Sequence, residues 1–425
     1  MRILLTHSNH LYLDPKQVRK MQPYPPLQTL IAAAVLRNIG FEVAFFDSTF
    51  DADFARSLKT HQPDLVVVCE DNFNFLTKMC LLRNRDFACS MARASSVPTV
   101  VTGSDSSDHV EEYRAAGFDY VILGEVEQTL AELALAIAHG ASPKHIPGLD
   151  RTQPRKPMTN LDELPAPAWD LVNIDRYRSA WQQAHGYFAL NMVTSRGCPY
   201  RCNWCAKPIY GSTYHFRSPE LAAEEMYFLK TAYHPDRLWF ADDVFALSAV
   251  WARQFAREVE KRGAQIPFKM QSRCDLMTRD TVSALRRAGC VEVWMGAESG
   301  SQRILDAMDK GTRVEHIYHA RENLRRHGIR AGFFLQFGYL GETSEDIEMT
   351  VRMVRETRPD DIGVSVSYPL PRTKFYNLVG NQLGAKSNWS DSGELAMMFR
   401  GQFPTEYYRS LADSLHSEVK SWTSS

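Results

Sequence analysis

The chain has 425 residues, too many for one ordinary domain, and its 44% hydrophobic and 23% charged residues are the balance of a globular protein that buries a core. With 49 basic and 50 acidic residues the net charge is −1, so no whole-molecule field exists to draw in nucleic acid or an anionic membrane. No run approaches the ~20 apolar residues of a membrane span, the opening MRILLTH is too short for a signal peptide, and eight scattered or clustered cysteines do not read as a disulfide framework; a cytoplasmic chain with reduced thiols is expected.

Residues 1–140 alternate between strand-like and helix-like periods. Strands are predicted at 2–6, 42–46, 64–69 (DLVVVC), 98–102 (PTVVT) and 119–123, with helices at 26–38 and 127–138. Strands that are apolar throughout and separated by helices imply a parallel sheet covered on both faces, a doubly wound domain. Its ligand belongs beyond the carboxyl ends of the strands. Those ends carry Thr6, His7 and Ser8; Glu70 and Asp71; Thr102, Gly103 and Ser104; and Gly124 and Glu125. Residues 141–188, with prolines at 143, 147, 154, 157, 165 and 167, read as a linker. A second βα series over 189–370 predicts strands at 189–194, 237–241, 268–272, 291–295, 331–337 and 362–367. Six such units fit a partial (β/α)6 barrel with its chemistry at the strand C-termini. Residues 371–425 read as an extension whose Trp389, Phe399, Phe403, Tyr407 and Tyr408 pack on that barrel.

Directly after the first strand of the second series comes TSRGCPYRCNWC, which places Cys198, Cys202 and Cys205 within eight residues. Three thiolates on one tight loop can converge on a metal centre, and three ligands to a [4Fe–4S] cluster leave one iron open to bind a substrate directly. Gly197 permits the turn and Pro199 stiffens it. Zinc is the alternative, but it commonly takes four ligands in paired Cys-x-x-Cys units, and only His215 offers itself as a fourth.

Cys-x-x-x-Cys-x-x-Cys at the end of a first barrel strand, with an aromatic before the last Cys, resembles the radical S-adenosylmethionine superfamily. The resemblance implies that the open iron chelates S-adenosylmethionine and that Trp204 lies beside its adenine. It further implies contacts to the same ligand from Ala241, Asp242 and Asp243 after the second strand, Ser272 and Arg273 after the third, Glu298 after the fourth and Gln336 in the fifth, with Arg273 pairing the methionine carboxylate.

A doubly wound domain ahead of such a barrel is similar to the cobalamin-binding subgroup, as are Pro23–Gln28 leading into the first helix and DYVILGEVE at 119–127. The resemblance implies corrin contacts from Thr6, His7, Ser8, Gln28, Glu70, Asp71, Thr102, Gly103, Ser104, Gly124 and Glu125. The Asp-x-His-x-x-Gly motif that supplies a lower histidine ligand in many cobalamin proteins is absent, and His7 and His10 are the nearest imidazoles to the first strand's end. Residues 367–376 (SYPLPRTKFY) resemble a segment of the subgroup that includes the anaerobic magnesium-protoporphyrin ester cyclase, with Arg372 where Gly is usual. Either the turn there differs or Arg372 meets an anionic substrate; Tyr339 is the other candidate substrate contact.

The implied activity is cobalamin-dependent radical C-methylation of a small metabolite or natural product, with a flavodoxin or ferredoxin as electron donor and no nucleic-acid partner. The alternatives are a radical cyclase or rearrangement enzyme, a tRNA methylthiotransferase-like enzyme, and a cobalamin-responsive regulator with an inert barrel. No sequence feature names the substrate or a further catalytic residue.

Overall fold

The computed structural model describes residues 1–70, 81–384 and 395–423, and the chain falls into two compact units. The first comprises Met1–Gly197, Lys207–Arg217 and Tyr233–Arg237; the second comprises Cys198–Ala206, Ser218–Ala232 and Leu238–Ser425.

In the first unit, strands β1 (Arg2–His7), β2 (Glu42–Phe46), β3 (Leu65–Glu70), β4 (Thr99–Gly103) and β5 (Tyr120–Ile122) form a parallel sheet in the order β2-β1-β3-β4-β5. Alternate residues serve opposite faces. Ile3, Leu5, Leu65 and Val67 join the core shared with helices Leu27–Asn38 and Val126–Ala138, while Leu4, Val66, Val68 and Val101 join the core shared with Phe54, Ala88, Met91 and Tyr113. Each such side chain stabilises the fold by roughly 1.5–3 kcal/mol on burial, which is why these runs are apolar throughout. The order reverses between β1 and β3, and in sheets of this type the ligand crevice opens at that switch point.

Strand β6 (Ala189–Met192) is followed by two short antiparallel strands, β7 (Ser195–Arg196) and β8 (His215–Phe216). Strands β9 (Arg237–Phe240), β10 (Phe268–Arg273), β11 (Cys290–Glu298), β12 (Arg330–Phe337) and β13 (Asp361–Val366) pair in parallel, in a six-stranded sheet ordered β13-β12-β11-β10-β9-β6. Local chemistry sets the helix starts between them. Ser248, Thr278 and Thr343 accept the backbone N–H of Trp251, Thr281 and Asp346, and Gly263 and Gly289 close two helices in the left-handed conformation. The carboxyl ends of β9 to β13 therefore share one edge, where a partial barrel of this kind does its chemistry.

The proline-rich stretch holds more structure than its composition predicts. Short 3-10 turns at Pro143–His145, Leu161–Glu163 and Trp169–Leu171 precede the helix Ile174–His185. Ile174, Tyr177 and Trp181 recur at helical spacing and are buried, so the prolines interrupt long elements without preventing packing. The helix Thr405–Thr423 lies against β13, with Tyr408, Ala412, Leu415 and Val419 buried along one stripe. Trp389, Asp71 and Cys80 lie outside the described residues. Among the described residues no helix is long and apolar enough to cross a membrane.

Candidate functional site

The cysteine loop leaves β7 through Gly197, whose φ is +82° and where a Cβ would stand 2.4 Å from the Thr213 carbonyl oxygen. Only glycine fits there. Cys198, Cys202 and Cys205 follow, each half-buried, and no disulfide engages them. The Cys205 N–H donates to the Cys202 carbonyl at 3.2 Å and closes a turn with Asn203 and Trp204 at its tip. The Trp204 indole N–H is buried and finds no hydrogen-bond partner among the described residues.

Among the described residues no three His, Cys, Asp or Glu side chains gather as ligands of a single ion, and His215 sits in β8 without joining the cysteines in such a group. That is unlike a zinc site, which needs its donors around one centre. A [4Fe–4S] cluster takes one thiolate per iron and makes no such demand. The residues present fit the cluster.

Two cations, Lys310 and Arg273, interact electrostatically with Cys202. Lys310 is buried and donates to Glu298 Oε1 at 2.7 Å. Burial works against its charge, but Glu298 and Cys202 together hold the ammonium above its ordinary value. Gly296 makes room for this pair, since a Cβ there would lie 2.5 Å from Lys310 Nζ. Glu298 itself has a φ of +60°, beside a register shift between β11 and β12. A side chain held in the left-handed region stores about 1–3 kcal/mol of strain.

The Arg273 guanidinium lies 3.5 Å above the Tyr200 ring. It donates to Asp275 at 2.9 Å, to the Lys310 carbonyl at 3.0 Å and to Thr312 Oγ1 at 2.8 Å. These contacts occupy much of the fork that the sequence assigns to a carboxylate ligand. Ser272 donates to the Phe245 carbonyl at 2.8 Å, Gln336 to Ser367 at 2.9 Å, and Ala241 and Asp242 are buried after β9 while Asp243 is exposed. All of these stand on the carboxyl edge of β9 to β12. Tyr339 behaves differently from the expectation of a substrate contact: its hydroxyl is turned inward, 3.0 Å from Asn203 Oδ1 and 2.8 Å from the Ala307 carbonyl. Arg372 is exposed with a φ of +62°, in the left-handed region that favours glycine.

In the first unit, Thr6 donates to the Phe46 carbonyl at 2.9 Å, and Ser8 and Gln28 are buried. His7 is spent internally: its Nε2 lies 3.2 Å from Asp47 and its Nδ1 3.1 Å from Ser48 Oγ. Against the pull of burial, His7 keeps the Asp47 carboxyl below its usual range. His10 directs Nδ1 to the Ser48 carbonyl at 2.6 Å. Glu70 also faces inward, accepting from Ser106 N–H and Oγ at 3.0 and 3.1 Å, and it shares the single proton of the Tyr113 hydroxyl with Asp105, which lies 2.9 Å from that oxygen. Burial and the Asp105 charge push Glu70 up to about 7. A Cβ on Gly103 would collide with Glu70 at 2.2 Å, so that glycine serves the carboxyl. Ser104 opens the helix Ser104–Asp108, and Gly124 has a φ of +81°. Glu125 accepts from the Met158 N–H at 2.5 Å and from Arg196 at 3.2 Å. The Thr102 hydroxyl is buried with no partner among the described residues, an orphaned donor at the sheet's ligand edge that a polar group on a corrin would satisfy.

Lys310, Asn203, Arg196 and Glu127 were not singled out by the sequence as site residues. Arg196 and Asn203 stand inside the cysteine motif as unmarked neighbours, and Lys310 lies in a loop with no periodic pattern, so only the folded chain reveals their partners.

Residues 192–354 match the Radical SAM superfamily and residues 21–134 the B12 binding domain. An uncharacterized methyltransferase of Pyrococcus horikoshii is 30% identical over 282 residues, 64% of this chain and 60% of the relative, so this chain spans less than two thirds of that protein. The anaerobic magnesium-protoporphyrin IX monomethyl ester cyclase of Rubrivivax gelatinosus is 22% identical over 409 residues, 90% of this chain and 71% of the relative. Among solved structures, the radical S-adenosylmethionine methyltransferase TsrM of Kitasatospora setae, with cobalamin and a [4Fe–4S] cluster bound, shares the fold with a TM-score of 0.74. That match is 22% identical and covers 91% of this chain and 76% of the other.

Proposed function

The chain belongs to the radical S-adenosylmethionine superfamily and carries a B12-binding domain ahead of the radical domain, and from that premise we propose that it transfers a methyl group to an unactivated carbon of a small molecule. Its cofactors are a [4Fe–4S] cluster, S-adenosylmethionine and cobalamin. Cys198, Cys202 and Cys205 hold the cluster; Trp204, Ala241, Asp242, Asp243, Ser272, Arg273, Glu298 and Gln336 are the groups offered to S-adenosylmethionine. Thr102, Gly124 and their neighbours on the first sheet's edge are offered to the corrin. When bound, the reduced cluster supplies one electron for cleavage of S-adenosylmethionine and cobalamin carries the methyl group.

The chain's own residues set the conditions. Lys310 and Arg273 place positive charge beside the thiolate loop in a setting with little water, where charges act strongly. The half-buried thiolates on a loop only glycine can enter carry the reading, together with the methyltransferase name of the Pyrococcus horikoshii relative. A radical cyclase is the second reading, favoured by the cyclase match over 90% of this chain. A flavodoxin or ferredoxin would deliver the electron.

Reduced, reconstituted protein given S-adenosylmethionine and candidate substrates separates the two. Methyl transfer yields 5′-deoxyadenosine and S-adenosylhomocysteine in equal amounts, whereas cyclisation yields the first without the second. A chain that forms neither while its cluster is intact overturns both.

A further inference from the structure

We propose that Asn203 and Tyr339 are positioning residues for the cluster: together they fix the Cys202–Cys205 turn on the end of the helix Gln302–Ala307. The inference rests on Cys198, Cys202 and Cys205 being the cluster ligands.

Asn203 is 7% exposed, and every polar group it owns is used. Its N–H donates to the Met308 carbonyl at 3.0 Å and its carbonyl accepts the Phe375 N–H at 3.0 Å. Its Nδ2 donates to the Ala307 carbonyl at 2.7 Å, and its Oδ1 accepts the Tyr339 hydroxyl at 3.0 Å. The orientation of the amide is fixed by chemistry, because the Ala307 carbonyl can only accept. Tyr339 has one hydroxyl proton and shares it between Asn203 and Ala307, 2.8 Å away, while its ring stacks on Phe375 at 4.9 Å between centroids.

The carbonyls of Ala307 and Met308 are the loose end of that helix, where no N–H of the next turn is available. Bare carbonyls form the negative pole of a helix, and a turn bearing two thiolates is a poor neighbour for them. Asn203 covers both with N–H donors from the middle of the thiolate turn itself. Two residues beyond Met308, Lys310 brings a buried cation within reach of Cys202. The Asn203 contacts thus set the distance between the thiolate turn and that cation, a distance to which a cluster's potential responds. An aspartate at 203 would press a carboxylate oxygen on the Ala307 carbonyl, so the amide is specifically required.

The test uses full-length, anaerobically reconstituted protein and the variants Asn203→Ala, Asn203→Asp and Tyr339→Phe. Iron per chain, the rate of iron loss to a chelator and the cluster's midpoint potential are measured. Both Asn203 variants should release iron about tenfold faster than the parent and change the potential. Tyr339→Phe, which removes only a hydroxyl and keeps the fold should Asn203→Ala lose it, should release iron about threefold faster with a smaller change in potential. A parent protein without a four-iron cluster overturns the underlying reading and this inference with it. A loaded parent whose variants keep its iron and its potential overturns the positioning role alone.

Discussion

The Arg196 guanidinium lies 2.5 Å from Glu127 and 3.2 Å from Glu125, with all three side chains buried. Arg196 stands two residues before Cys198, and Glu127 lies in the first turn of the helix Val126–Ala138 of the five-stranded unit. Burial works against its charge, yet Glu127, Tyr210 and Glu125 hold Arg196 above its ordinary value, and burial pushes Glu125 up.

Glu127→Ala leaves that cation without its nearer partner and should cost about 3–5 kcal/mol, the usual cost of breaking a buried pair. Glu125→Gln, which keeps the shape and leaves the Glu127 contact, should cost about 1 kcal/mol. Chemical denaturation of the full chain reads both, and equal losses would show that the cation depends on neither carboxylate in particular.

Glu342 carries a pH dependence. It is 1% exposed, one oxygen accepts the Gly338 N–H at 2.6 Å, and the other has no partner among the described residues. Burial, helped by the Asp346 charge, pushes the carboxyl up from 4.5 to about 8. Because the folded value exceeds the unfolded one, the unfolded chain gives up its proton first. Stability is therefore full below pH 4.5 and is lost as pH rises to about 8. The slope for one group approaches roughly 1.4 kcal/mol per pH unit. Glu342→Gln should flatten the curve in that window, and an unchanged curve would assign the ionised form to the folded state.

Arg372 occupies the left-handed region at φ +62°. Glycine there would relieve about 1 kcal/mol of strain, so Arg372→Gly should raise the melting temperature by a few degrees. If the guanidinium also meets an anionic substrate, kcat/KM falls in the same variant. A lower melting temperature would show that the Arg372 side chain contributes more to stability than its backbone costs.

Gly197→Ala drives a methyl onto the Thr213 carbonyl and requires a positive φ of alanine. Iron bound per chain should fall severalfold while the circular dichroism of the full chain is kept. Full iron loading in this variant would contradict the loop geometry.

Both sheets were legible in the sequence because strands buried on two faces read as unbroken apolar runs: Leu65–Glu70 and Arg330–Phe337 begin and end within a residue or two of their patterns. The cysteine trio stands out in the sequence by its spacing alone, since three thiols on one loop are neighbours in the chain. The surroundings were not legible. Lys310 reaches Glu298 across 12 residues, Asn203 reaches Tyr339 across 136, and Arg196 reaches Glu127 across 69, and pairs so far apart leave no local spacing to read. Strand-end residues such as His7 and Glu70 were placed at the correct edge, but which way each side chain turns depends on Asp47 and Tyr113, contributed by other elements.

The most direct measurement is the electron paramagnetic resonance spectrum of the anaerobically reduced protein, with its iron counted, before and after S-adenosylmethionine is added. About four irons per chain and a signal that changes on addition are expected, because an iron without a protein ligand is where that molecule would bind. A lone zinc ion, or a four-iron signal indifferent to S-adenosylmethionine, would contradict the account.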